Sequence, residues 1–236
     1  MIESEWRLCY MGNAVSGRRK IRDIIELAVS ILLVIFTIIG TYLMFTNSDP
    51  GAGLAASGLE NLKFFTVLSN EFCGIAAAVN IVFFFRLRKM PVLIKLMASS
   101  GVGLTFVIIA FFLAPMYPNL NLYSGGNLWF HLIIPLTSMV GFIIATNDGK
   151  IPFRYTFISA LMALVYGTGY LINILVNGIG EWPDSNDWYG FLNWGFPIGI
   201  GIFAAVVIMN WGVAAILRLL NKFVFRLFCI SEGKEK

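Results

Sequence analysis

The sequence predicts an all-α fold: a bundle of six membrane-spanning helices with both termini in the cytoplasm. Three observations lead there. Of the 236 residues, 58% are hydrophobic and only 13% are charged, with a mean hydropathy of +0.80, whereas a soluble domain carries roughly 25% charged residues. The apolar residues gather into six runs, each close to the roughly 20 residues that cross about 30 Å of hydrocarbon. Sixteen of the 17 Lys and Arg residues flank those runs on one side, the bias that orients membrane proteins. The net charge of +4 lies between apolar runs rather than on one face, which argues against a nucleic-acid partner.

The first 23 residues form a polar cytoplasmic segment with Arg7, Arg18, Arg19, Lys20 and Arg22. The run that follows, Ile24–Phe45, is too long for a signal-peptide core and lacks a small-residue cleavage pattern, so it reads as an uncleaved first span. The second and third spans, Leu62–Phe85 and Val92–Ala114, are joined by a basic loop that with its edges holds Arg86, Arg88, Lys89 and Lys95. Lys150 and Arg154 separate the fourth span, Leu128–Thr146, from the fifth, Thr156–Asn177. The sixth, Leu192–Leu217, closes the membrane domain of residues 24–217 and leaves a basic cytoplasmic tail, 218–236, with Arg218, Lys222, Arg226, Lys234 and Lys236. Backbone groups in lipid must bond among themselves, and the alternation of barrel strands is absent, so the runs are helices. Only Lys63 falls on the outer side, beside Asp49, Glu60, Glu181, Asp184 and Asp187 and a belt of Tyr and Trp residues. Loop 178–191, which begins GIGEWPDSNDWYG, reads either as a cover over the outer mouth or as an interfacial turn with aromatic anchors. No internal repeat or second domain is evident. Cys9, Cys73 and Cys229 are too widely spaced for a disulfide framework or metal site. The layout suits a bacterial plasma membrane, with an endomembrane as the alternative, and nothing in it specifies an oligomeric state.

Polar residues inside spans usually face the bundle interior and mark function. Here they concentrate in the outer leaflet half: Thr66, Ser69, Asn70 and Glu71 on the second span, His131 on the fourth, Asn173 and Asn177 at the end of the fifth, and Asn193 at the start of the sixth. Asn80 and Asn210 lie deeper. At 1.5 Å per residue, Thr66 and His131 both sit about 5–6 Å below the outer boundary. Thr66, Ser69, Asn70 and Cys73 share one helix face, and Glu71 points off it. Glu71 also reads as a protonated, hydrogen-bonded group that ties helices together. Pro135 offers no N–H to the His131 carbonyl, and Pro197 none to that of Asn193, so both helices should break near those residues. An ordinary membrane-helix threonine bonds back to the carbonyl four residues earlier, here Leu62.

A single histidine and no acid cluster exclude a typical zinc centre, and no phosphate-binding glycine loop is present, so no cofactor or metal is expected. A histidine and a threonine hydroxyl at one depth suit covalent acyl transfer, with the imidazole as base and the hydroxyl as nucleophile. Asn173, Asn177, Asn70 and Glu71 are all open as the group that orients the ring, and Asn70 or Ser69 as oxyanion donors. The depth fits a lipid ester. The stretches NLKFFTVLSN at 61–70 and WFHLIIPL at 129–136 resemble the androgen-induced-gene-like membrane hydrolases and their six-span bacterial relatives. That resemblance implies a threonine hydrolase of lipid or fatty-acid esters, with Thr66 as nucleophile and His131 as its partner; the family's vertebrate members cleave esters of hydroxylated fatty acids. The Ser-Asn pair at 69–70 is similar to the bacterial members rather than the vertebrate ones, which bears on the substrate. A six-span transporter or interaction protein, and an acyltransferase using the same two residues, are the competing readings.

Overall fold

The computed structural model describes residues 15–46, 58–146, 151–181 and 185–233. Arg7, Cys9, Asp49, Lys150, Asp184, Lys234 and Lys236 lie outside the described residues. Those described form an all-helical bundle in which six helices are long and apolar enough to cross a membrane. We number them α1 (Val15–Thr46), α2 (Phe65–Phe85), α3 (Val92–Met116), α4 (Gly125–Ala145), α5 (Arg154–Asn177) and α6 (Phe196–Gly233). A short 3-10 turn, Gly58–Lys63, leads into α2. The up-and-down chain path puts most described Lys and Arg residues at one end of the bundle, the basic end. Trp129, Trp188 and Tyr189 gather at the other, the aromatic end.

The third helix is the hub. It packs against α2, α4, α5 and α6, while α1 covers α2 and α4 from the far side. Over its most apolar stretch α3 is 56% buried, against 22% for α1 and α6. Small residues make this possible: Ala98, Ser99, Ser100, Gly101 and Gly103 follow one another along α3 and are all buried. Without a hydrophobic drive between helices in lipid, such residues let backbones approach closely. The same device brings α1 to α4. A Cβ built on Gly40 would stand 2.8 Å from a Phe130 ring carbon and 3.1 Å from the Trp129 Cβ.

Two helices change register before a proline. In α3, residues Ile109–Leu113 form a π turn ahead of Pro115. In α4, Trp129–Ile133 does so ahead of Pro135, with the Ile134 N–H donating to the Trp129 carbonyl. Such bulges absorb the missing proline donor. The consequence differs from the sequence expectation. In the five-residue register the proline would have served Phe130, not His131, so the carbonyl that needs an outside donor moves one residue back. The start of the sixth helix also differs. It begins at Phe196, which leaves Asn193 exposed in the preceding turn and Pro197 in the first helical turn. Proline removes no intrahelical bond there, so there is no break beside Asn193. At the far end α6 runs on as helix to Gly233, well past Leu217.

Candidate active site

The site is built from the first turn of α2, the π turn of α4 and two loops. At the aromatic end, residues 185–191 of the loop before α6 pack against α2 and α5. Asp187 organises this segment: one carboxylate oxygen accepts the Phe191 N–H at 2.9 Å, the other accepts the Leu192 N–H at 2.8 Å, and the Tyr170 hydroxyl donates to the first. Tyr189 stacks on Phe191 with ring centroids 5.2 Å apart, and Trp188 packs edge-on against Tyr170 at 4.8 Å. The indole N–H of Trp188 donates to the Tyr166 hydroxyl at 3.1 Å, which in turn donates to the Lys63 carbonyl at 2.6 Å. The Tyr189 hydroxyl accepts the Phe65 N–H at 2.8 Å. Burial, and then the neighbouring Tyr166, push the Tyr189 phenol well above its usual range, so it stays neutral. The described residues 185–191 of the loop thus lie against the first turn of α2 with their aromatic side chains as anchors. They tie down the N-terminus of α2.

Thr66 is the second residue of α2 and is half-buried. Its position in the first turn removes the ordinary back-bond, because Leu62 belongs to the preceding 3-10 turn and not to the helix. Its hydroxyl makes no hydrogen bond among the described residues, and its backbone N–H finds no acceptor there either. Two neighbours do hold its carbonyl. The Ser69 hydroxyl donates to it at 3.1 Å and the Asn70 amide at 2.7 Å. The second amide hydrogen of Asn70 goes to the Phe130 carbonyl at 3.1 Å, the very carbonyl that the π turn and Pro135 leave without a helix partner. Asn70 therefore clasps α2 to α4 at the level of Thr66 and of the residue before His131.

His131 is 7% exposed. Its Nδ1 lies 2.7 Å from the carbonyl of Leu122, a buried residue of the α3–α4 loop. A carbonyl only accepts, so Nδ1 carries the proton and the neutral ring presents Nε2 as an acceptor. Nε2 makes no hydrogen bond among the described residues. No hydrogen bond joins the ring to the Thr66 hydroxyl, although the two helices meet there.

The other residues singled out from sequence have different partners. Both hydrogens of the Asn70 side-chain amide are used, and the Ser69 hydroxyl is shared with Thr105 of α3 at 3.2 Å. Neither is aimed at an oxyanion; the free donor beside Thr66 is its own N–H. Glu71 bonds the Thr41 hydroxyl on α1, in line with its reading as a tie between helices. Asn173 and Asn177 are not brought to the histidine. Asn177 donates to Asn173 at 2.8 Å, which donates to Asn186 of the loop before α6 at 3.1 Å. The group that orients the imidazole is thus a backbone carbonyl, which no side-chain pattern announces. Among the described residues no cluster of His, Cys, Asp and Glu could hold a metal ion. No protein-family model, curated protein or solved structure matches this chain.

Proposed function

We propose that the protein is a membrane-embedded threonine hydrolase of lipid or fatty-acid esters, with the aromatic end in the outer leaflet of a bacterial plasma membrane and both termini cytoplasmic. The observation that carries this reading is the Leu122 carbonyl on His131 Nδ1. It fixes the tautomer in which Nε2 is a base, on a helix clasped to the one that holds an unbonded threonine hydroxyl. General bases need this pairing of a free lone pair with a positioned partner.

In the proposed cycle, an ester carbonyl enters between α2 and α4 from the lipid. Nε2 takes the Thr66 hydroxyl proton as Oγ1 attacks the carbonyl carbon. The tetrahedral oxyanion lies by the Thr66 N–H, at the positive end of α2. The C–O bond to the leaving alcohol breaks, and that oxygen takes the proton from Nε2. Water, deprotonated by Nε2, then attacks the acyl-threonine. The fatty acid leaves and the Thr66 hydroxyl is restored.

Hydrolysis of a fluorogenic long-chain acyl ester in mixed micelles tests this reading. The wild type should turn over, while Thr66→Ala and His131→Ala should not, with unchanged elution on size exclusion. Turnover that survives in well-folded Thr66→Ala would refute the assigned nucleophile.

A further inference from the structure

The basic-end half of the bundle contains a second polar region that the proposed ester chemistry does not use. Lys95 of α3 pairs with Glu26 of α1 at 2.6 Å, with side chains only 10% and 18% exposed. Asn80 of α2 donates to the same carboxylate oxygen at 3.0 Å and lies 3.0 Å from the Ser30 hydroxyl. Three helices thus converge on one carboxylate within a membrane bundle. Ionised groups in such a place are costly, and they persist where they pair or line a water-filled space. These residues line one side of a cavity of about 60 Å³.

The cavity walls extend inward from the ion pair. At mid-bundle they include Cys73, Ser99 and Ser138, side chains from three helices, with Ser138 in contact with the other two. The Ser99 and Ser138 hydroxyls are 2.9 Å apart, and the Cys73 thiol lies 3.4 Å from Ser138. One helical turn further in, two buried polar atoms have no protein partner: Thr37 Oγ1 and Asn70 Oδ1. Thr37 lies against Gly74, the residue after Cys73, where an added Cβ would stand 2.7 Å from that hydroxyl. Asn70 precedes Cys73 by three residues on the same face of α2. Buried polar atoms are nearly always satisfied, and water is the usual partner when protein is not. A water needs roughly 10–15 Å³ of such space, so this cavity has room for several waters and is too small for a lipid chain.

We infer that the cavity is the wide part of a water-filled half-channel that enters at the basic end beside Glu26–Lys95 and ends at Asn70. The ion pair and Asn80 hydrate its mouth, the Ser99–Ser138–Cys73 cluster carries the hydrogen-bonded chain past the middle of the bundle, and Thr37 and Asn70 hold its last waters. It admits water, and with it protons, to the bundle interior from the side opposite the aromatic end. The inference stands without the hydrolase reading, and its test uses no substrate.

X-ray hydroxyl-radical footprinting of the full chain in nanodiscs provides that test, because radicals formed from resident water oxidise the side chains beside it. Ala163 on α5 is as buried as Cys73, at 2% each, and is not among the cavity's lining residues. The expected result is that Cys73 oxidises at least about tenfold faster than the thiol of an Ala163→Cys, Cys73→Ser chain, since ordered water sits beside one and not the other. Filling the space with Ala98→Leu should bring Cys73 down to that reference rate and leave exposed Met116 unchanged. Equal rates for the two thiols in the folded proteins would overturn the half-channel. So would Cys73 oxidation indifferent to Ala98→Leu. If Ala98→Leu does not fold, the comparison of the two thiols decides alone.

Discussion

In the basic-end half of the bundle, the buried charged groups meet opposite charges or backbone carbonyls; in the aromatic-end half, the bonding is done mostly by phenols, an indole, amides and hydroxyls. At the basic end Lys95 answers Glu26. Arg22 of α1, only 8% exposed, donates to the Ile144 and Thr146 carbonyls at 3.0 and 3.2 Å. Asn221 of α6 reaches the Phe142 and Thr146 carbonyls at 3.1 and 3.0 Å. The C-terminus of α4 is thus capped from two other helices, with a cation at the negative end of its dipole. At the aromatic end Asp187 is the buried carboxylate, and the loop wraps around it. At the seam of α2 and α4 the Thr66 hydroxyl and His131 Nε2 make no hydrogen bond among the described residues and, unlike the partnerless Asn70 Oδ1, are not fully buried. The contrast teaches where to look for chemistry. Most polar groups that hold helices together have protein partners; the Thr66 hydroxyl and His131 Nε2 have none among the described residues.

The largest expected effect tests that distinction. Thr66→Ala and His131→Ala should each lower ester turnover by at least about a thousandfold, the scale of losing a nucleophile or its base, with no change in melting temperature beyond a few degrees. Next comes the ion pair. Lys95→Met leaves a buried carboxylate without its partner and should destabilise the fold by roughly 3–5 kcal/mol, whereas Glu26→Gln combined with Lys95→Met should regain most of that. Thermal unfolding in detergent reads the difference; an additive double variant would contradict the pairing. Asp187→Asn weakens the acceptor for two backbone N–H groups and a phenol, and should cost about 2 kcal/mol. It should also loosen loop 178–191, seen as faster proteolysis within it.

A smaller effect belongs to Tyr189. Its phenol is raised from the usual 10.0 on folding, so the folded chain holds that proton more tightly than the unfolded one. The stabilisation is complete below pH 10 and is lost as pH rises through the folded value. Tyr189→Phe should remove this alkaline dependence and cost about 1 kcal/mol at neutral pH. Smallest of all, Asn177→Ala should leave turnover within about twofold and stability within about 0.5 kcal/mol, because Asn177 is exposed and among the described residues its side chain bonds only Asn173. A large loss of activity in this variant would return the α5 asparagines to the site.

The spans were legible because hydrophobic length is a local signal, and the depth of Thr66 and His131 followed from counting residues along them. Ends were less legible. Pro197 marks the first turn of α6 rather than a break, since a proline reads alike at a helix start and inside a helix until the backbone is seen. The π turn at Trp129–Ile133 has no composition of its own, so ordinary helix spacing points to the His131 carbonyl as the orphan, whereas the structure puts it at Phe130. The orienting Leu122 carbonyl is backbone, and every residue has one. In sequence Lys95 stands at the edge of a basic loop, because its partner, Glu26, is far away along the chain and becomes a neighbour only when the helices pack.

The most direct test of the account is the site of covalent capture. Purified protein treated with a fluorophosphonate lipid probe should carry a single adduct, mapped by peptide mass spectrometry to Thr66 and lost in His131→Ala. An adduct on any other residue, or none on the folded wild type, would contradict the claim that the unbonded hydroxyl at the head of α2 is an activated nucleophile.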